Sequence, residues 1–318
     1  MRIMITGITG FVGSHLAEYV LGLGHEVYGT KHWRSPMENV SDIADKVAWF
    51  ECDLVDETST QDAVETSKPD IIFHLAAQSY VPSSFSAPRH TLETNIIGTL
   101  NLLEAIKRAG LDPVIHICSS SEVYGQVLPE EVPITEENAL RPQSPYAVSK
   151  VGEDLLAYQY FRSYGLKTIR TRAFTHTGPR RGSVFVASAF AKQIAEVESG
   201  KIPPVIHVGN LESVRTWLDV RDIVKAYWLC VTKCLPGEVY NVGGTTTSTV
   251  GEMLDMLLSL STRQAEIKVT QDPTLLRTSD VTLQIPSIKK LQDATGWVPK
   301  IPLQQTLQDL LDYWRQRV

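Results

Sequence analysis

Two short stretches of this 318-residue chain carry residue types at a spacing suited to proton transfer. Tyr146-Ala147-Val148-Ser149-Lys150 sets a phenol and an ammonium four residues apart, one helical turn, so both project from one face. A free tyrosine ionises near pH 10, and a cation within a few ångströms favours its phenolate; the pair reads as an acid/base couple, with Lys150 also able to hold a ribose. Ser119-Ser120-Ser121-Glu122 adds hydroxyls and a carboxylate directly after the strand-like run Val114–Cys118. Strand carboxyl ends are where α/β sheets gather ligands. Tyr-x-x-x-Lys alone is common in helices, and its weight comes from what stands upstream.

Upstream is a glycine loop, Thr6-Gly7-Ile8-Thr9-Gly10-Phe11-Val12-Gly13, following the apolar run Arg2–Thr6 and opening a helical pattern over Gly13–Leu23. One glycine permits the tight turn, another lets backbone N–H groups approach a pyrophosphate, and Gly13 permits close helix–strand packing. A glycine-rich turn that binds nothing is the plainer alternative; the strand before and the helix after favour a dinucleotide. After the next strand, Glu26–Thr30, an acidic residue would hold a ribose 2′-hydroxyl. The sequence instead reads Lys31-His32-Trp33-Arg34-Ser35, where Lys31 and Arg34 can neutralise a 2′-phosphate and Ser35 can donate to it, so NADP is expected rather than NAD. A solvated basic loop is the bland reading. Asp53 and Leu54, after the strand Val47–Cys52, are assigned to the adenine side, and Leu75-Ala76-Ala77 to the ribose.

These residues need a scaffold. Strand-like and helix-like segments alternate, with further strands at Asp70–Leu75 and Val114–Cys118 and a helix over Thr91–Ala109. Compact apolar strands such as IIFHL and VIHIC suit a sheet covered on both faces. The expected fold is therefore α/β: a Rossmann-type doubly wound parallel sheet over residues 1–174, rejoined near 220–245. A smaller mixed α/β substrate-binding region is expected over 175–318, with helices at Val184–Glu198 and Val220–Thr232 and Val239–Val242 returning to the main sheet.

TGITGFVG, HLAAQS at 74–79, SSSEVYG at 119–125 and SPYAVSK at 144–150 together resemble the extended short-chain dehydrogenase/reductase family. Within it the chain is most similar to GDP-mannose 4,6-dehydratases and to GDP-4-keto-6-deoxy-D-mannose reductases. FTHTGPRRG at 174–182, VGNLESVRTW at 208–217 and LLRTSDV at 275–281 extend the resemblance over nearly the whole chain. It implies a GDP-linked hexose as substrate, with Ser120 on the sugar O4 and Tyr146 taking the O4 proton as hydride passes from C4 to NADP. Glu122 would then remove the C5 proton and protonate the departing C6 hydroxyl. It further implies Arg215 and Arg277 on the diphosphate, Val208, Asn210 and Lys192 at the nucleotide end, and His176 against the cofactor. Ser79, Thr175, Val186 and Asp280 complete the substrate set.

Thr175 departs from the family's usual Asn, and Thr278 from a common Pro. Glu122 is compatible with both the dehydratase and the reductase; the PRRG loop and Lys31–Ser35 favour the former. Arg180 and Arg181 are expected either at a neighbouring subunit or in solvent. An apolar stripe through Leu155, Leu156, Tyr158, Gln159 and Phe161 points to a homodimer or homotetramer.

Bulk composition excludes other classes. With 43% hydrophobic and 21% charged residues the chain is ordinary globular protein, and a net charge of −6 is the wrong sign for a nucleic-acid binder. No apolar run reaches ~18 residues and the opening residues enter a strand directly, so neither export nor a membrane span is expected and the cytoplasm is. Cys52, Cys118, Cys230 and Cys234 lack metal-binding company; no metal is expected.

Overall fold

The computed structural model describes residues 1–276 and 281–318. Seven strands form one parallel sheet: β1 (Arg2–Thr6), β2 (Glu26–Lys31), β3 (Val47–Glu51), β4 (Ile71–His74), β5 (Val114–Ser120), β6 (Lys167–Ala173) and β7 (Val239–Val242), in the order β7-β6-β5-β4-β1-β2-β3. The order reverses between β1 and β4, which opens a crevice at their carboxyl ends. Every side chain of β4 is buried, as a sheet covered on both faces requires. The α/β, doubly wound expectation holds.

On one face, helix α1 (Phe11–Gly22) and the helix Val220–Lys233 pack on Ile3, Ile5, Val27 and Phe73. On the other, α2 (Glu57–Ser67), α3 (Gly98–Arg108) and α4 (Pro145–Tyr164) cover Met4, Ile72, Ile115 and Ile117. A separate apolar cluster joins the helices Val186–Glu198, Val250–Ser259 and Leu303–Arg315 around Trp217 and Ile206.

Three elements differ from the sequence expectation. The helix expected over Thr91–Ala109 is Pro88–Leu92, a π turn at Glu93–Ile97, and α3; the wide turn carries Asn95, whose carboxamide bonds Gln78 and the Ser149 hydroxyl. Helix α2 and strand β6 were not anticipated. In β6 the apolar pattern is broken by Arg170 and Arg172, both buried because Asp154 of α4 takes them at 2.7 and 2.9 Å.

Helix α4 starts where the Ser144 hydroxyl accepts the Ala147 N–H and Pro145 fixes the first turn; it ends at Gly165, φ +74°. Its inward face is largely polar: Tyr146, Ser149, Lys150, Glu153 and Asp154 are all buried. Leu155 and Tyr158 face outward, whereas Leu156 packs on the core and Phe161 lies against Gly237.

Candidate active site

A cleft of about 1360 Å³ opens at the carboxyl ends of the strands. Its lining runs from the glycine loop, past Ser120, Glu122, Tyr146 and Lys150, to Val186, Asn210 and Arg215.

At the loop the fit to a dinucleotide can be tested on the glycines. Gly7 has φ +68°, and a Cβ there would lie 2.8 Å from Ala76 Cα; a Cβ on Gly13 would lie 2.4 Å from the Gly7 carbonyl oxygen. The cradle tolerates no side chain at either position. Helix α1 begins at Gly10 without a side-chain cap, leaving its first N–H groups available to an anion. Gly10, Phe11, Val12 and Gly13 line the cleft, with Lys31, Ser35, Asp53, Leu54, Leu75, Ala76 and Ala77 around them. Lys31 Nζ stands 3.7 Å from Glu51 at the end of β3. Thr6 lies beneath the loop: its hydroxyl meets His74 at 2.9 Å and accepts the N–H groups of Leu75 and Ala76 at 3.1 Å, tying β1 to β4. Arg34 is outside the lining, stacked 4.1 Å over the Trp33 ring.

At the Tyr/Lys pair, Lys150 Nζ donates to both oxygens of Glu153, at 2.9 and 3.1 Å, and to the Cys118 carbonyl at 3.0 Å. It lies 5.9 Å from the centre of the Tyr146 ring. Lys150 pulls the Tyr146 phenol toward phenolate, as its charge and spacing lead one to expect, but burial opposes it. Burial pushes the Tyr146 phenol above its ordinary pKa, against the pull of Lys150 and a hydrogen bond with Ser120. Desolvation wins, and the phenol holds its proton at neutral pH. Ser120 also accepts the Glu122 N–H at 3.2 Å, closing the turn that carries the carboxylate into the cleft.

Beyond the centre, Ser79, Thr175, His176 and Val186 line the cleft. His176 Nδ1 donates to the Phe174 carbonyl at 2.8 Å and the ring stacks on Phe11; burial and Arg181 draw its pKa down to about 4, so the ring is neutral. Arg215, on the strand Val214–Thr216, donates to the carbonyls of Val214 and Val281. The Asn210 side chain bonds Ser213 and the Glu212 N–H, folding the loop beside it. Lys192 is not in the lining: it stands 3.6 Å from Glu196 and over Trp314, while Gln193 reaches the cleft. Val208 is buried in the C-terminal apolar cluster. Arg277 and Asp280 lie outside the described residues.

The cleft holds two polar side chains that the sequence did not place there, Arg181, expected at a neighbouring subunit or in solvent, and Gln284. Arg181 stacks 3.5 Å over the Phe185 ring and 5.0 Å over Phe11, and desolvation draws its pKa down to about 10. Arg180 beside it pairs with Glu18 of α1 at 2.5 Å, so both arginines find partners within their own chain. Gln284 is buried, accepts the Ser121 hydroxyl and leaves its Nε2 without a partner among the described residues; nothing in the local sequence marks it. Among the described residues no cluster of acidic, His and Cys side chains could hold a metal, and Cys230 and Cys234 are buried. No described helix is long and apolar enough to cross a membrane.

Residues 4–310 match the family model of GDP-mannose 4,6 dehydratase. The chain belongs to that family. It is 34% identical to a GDP-6-deoxy-D-mannose reductase of Pseudomonas aeruginosa, with 100% of this chain and 98% of that protein covered. It is 32% identical to a GDP-mannose 4,6-dehydratase of Vibrio cholerae serotype O1, with 97% and 92% covered. Among solved structures, RMD from Pseudomonas aeruginosa complexed with NADPH superposes with a TM-score of 0.86 at 33% identity, covering both chains fully. A UDP-glucose 4-epimerase from Thermotoga maritima gives 0.89 at 28%, covering 99% of each. This member of the dehydratase family is thus an enzyme of the extended short-chain dehydrogenase/reductase type.

Proposed function

We propose that this chain is an NADP-dependent GDP-D-mannose 4,6-dehydratase, forming GDP-4-keto-6-deoxy-D-mannose. The observation that carries the reading is that Glu122 shares one wall of the cleft with Ser120 and Tyr146. Reducing a ketone requires one proton donor. Dehydration requires a second group that takes a proton from C5 and returns one to the departing C6 hydroxyl, and a carboxyl does both. The glycine cradle, Lys31 and the likeness to a reductase solved with NADPH support the cofactor.

NADP held by the glycine cradle and Lys31 would supply a reversible hydride acceptor, with no net consumption of reductant in an internal oxidation and reduction. Ser120 holds O4 by its hydroxyl, and Tyr146 exchanges the O4 proton. Lys150 supplies positive charge beneath the phenol, and Arg215 approaches the diphosphate. Asn210 and Val186 lie along the nucleotide side. Exposed Val148, Leu155, Tyr158 and Tyr164 on α4 support self-association as a dimer, which sedimentation at micromolar concentration tests.

The decisive assay incubates the protein with GDP-mannose, without added NADPH, and weighs the product by mass spectrometry. Loss of one water is expected from the wild type and none from Glu122→Gln; a Gln variant that dehydrates at full rate removes Glu122 from the mechanism. The second reading is an NADPH-consuming 4-keto reductase. It is favoured by the 34% identity to a reductase of matching length and by a Tyr146 that holds its proton. Unchanged GDP-mannose, together with NADPH oxidation on the 4-keto-6-deoxy sugar nucleotide, would decide for it.

A further inference from the structure

Beneath the Tyr/Lys pair stands an acid that the sequence reading did not single out. Glu153 follows Lys150 by three residues on α4, so both lie on the inward face. It is 1% exposed, and its bonds to Lys150 Nζ are its only hydrogen bonds among the described residues. An ammonium has three donors. Two go to Glu153 and the third to the Cys118 carbonyl, so the position of Lys150 is set by this acid and one backbone group.

We propose that Glu153 is a positioning residue for the Tyr146–Lys150 pair: its carboxylate anchors the Lys150 ammonium and offsets the charge that Lys150 presents to the Tyr146 phenol. This rests on reading Tyr146 and Lys150 as the acid/base couple.

The surroundings leave this role to Glu153. Asp154, its neighbour on α4, is taken by Arg170 and Arg172 of β6. Glu93 and Glu104, on the segments packed beside α4, pair with Arg89 and Lys107. Glu122 sits on the turn after β5, on the cleft side. His74 of β4 and His116 of β5 are neutral, their pKa values drawn down to about 3 by burial. Cys118 and Tyr227 are pushed up by burial and stay protonated. Burial also pushes the Glu153 carboxyl up, to about 7, against the attraction of Lys150. Below that pH Glu153 is neutral and the charge on Lys150 acts unopposed, favouring phenolate. Above it the carboxylate compensates, favouring the phenol.

The test is an ultraviolet titration of Tyr146, isolated as the difference between proteins with and without Tyr146→Phe, in the wild-type and Glu153→Gln backgrounds. Removing one nearby charge should lower the Tyr146 midpoint by about one pH unit, a roughly tenfold change in its ionisation constant. Glu153→Asp, which keeps the charge but draws it back, should move the midpoint the same way by less and serves if the Gln variant does not fold. A midpoint unmoved in the folded variants, with only the melting temperature lowered, overturns the proposal. The titration needs no turnover. Inactivity on both sugar nucleotides would therefore defeat the functional reading while leaving the Tyr146 midpoint to judge Glu153.

Discussion

At the glycine loop the chain approaches the cleft as bare backbone, with Gly7 and Gly13 leaving no room for a Cβ. On α4 it approaches as ionisable side chains turned inward: Tyr146, Lys150, Glu153 and Asp154, all buried. The first region is shaped by what is missing: Gly13 is confined by Gly7 and Ile8 close by in the chain, and Gly7 by Ala76 just after β4. The second consists of charges that survive burial only because partners arrive from elsewhere: Cys118 from β5, Arg170 and Arg172 from β6. A sterically defined cradle tolerates little change of volume. An electrostatically defined centre tolerates little change of charge.

That contrast can be broken by experiment. The largest effect is expected at Tyr146→Phe, which keeps the ring and removes the proton: turnover should fall by about 10²- to 10⁴-fold while NADPH affinity is held. Parallel loss of turnover and affinity, followed by steady-state kinetics and calorimetric titration, would show instead that the phenol serves binding. Next, Asp154→Ala leaves two buried arginines uncompensated and should cost about 3–5 kcal/mol in denaturant unfolding. If stability is unchanged, the charges of α4 and β6 are not what joins those elements.

Gly13→Ala is the steric counterpart, expected to cost about 1–3 kcal/mol through overpacking and to weaken NADPH binding with it. Wild-type affinity in that variant would mean that the loop shifts readily and that its shape is not the determinant. The Glu122→Gln and Glu153→Gln experiments sharpen the electrostatic side, since both substitutions conserve volume and change only charge.

Legibility in the sequence follows the same division. Strand β1, the glycine loop and α1 announce themselves because an apolar run, a glycine spacing and a helical pattern are all local. Strand β6 does not, because Arg170 and Arg172 look like surface residues until Asp154 is found 16 and 18 positions away in α4. The inward face of α4 is hidden for the same reason: it is polar, so the apolar stripe through Leu155 and Tyr158 marks the outside. Lys192 illustrates the converse, a residue placed by resemblance whose helix turns Gln193 into the cleft instead.

The sequence by itself determined the α/β class, the cradle for a dinucleotide and the presence of a phenol, an ammonium and a carboxylate at ligand-gathering positions. Backbone sterics and side-chain periodicity act over a few residues and need no fold to be read. Only the tertiary structure decided that burial opposes Lys150 at the Tyr146 phenol, that Lys150 is held by Glu153, and that Arg181 and Gln284 join the cleft. Desolvation and charge pairing depend on which residues lie within a few ångströms in space, whatever their distance along the chain.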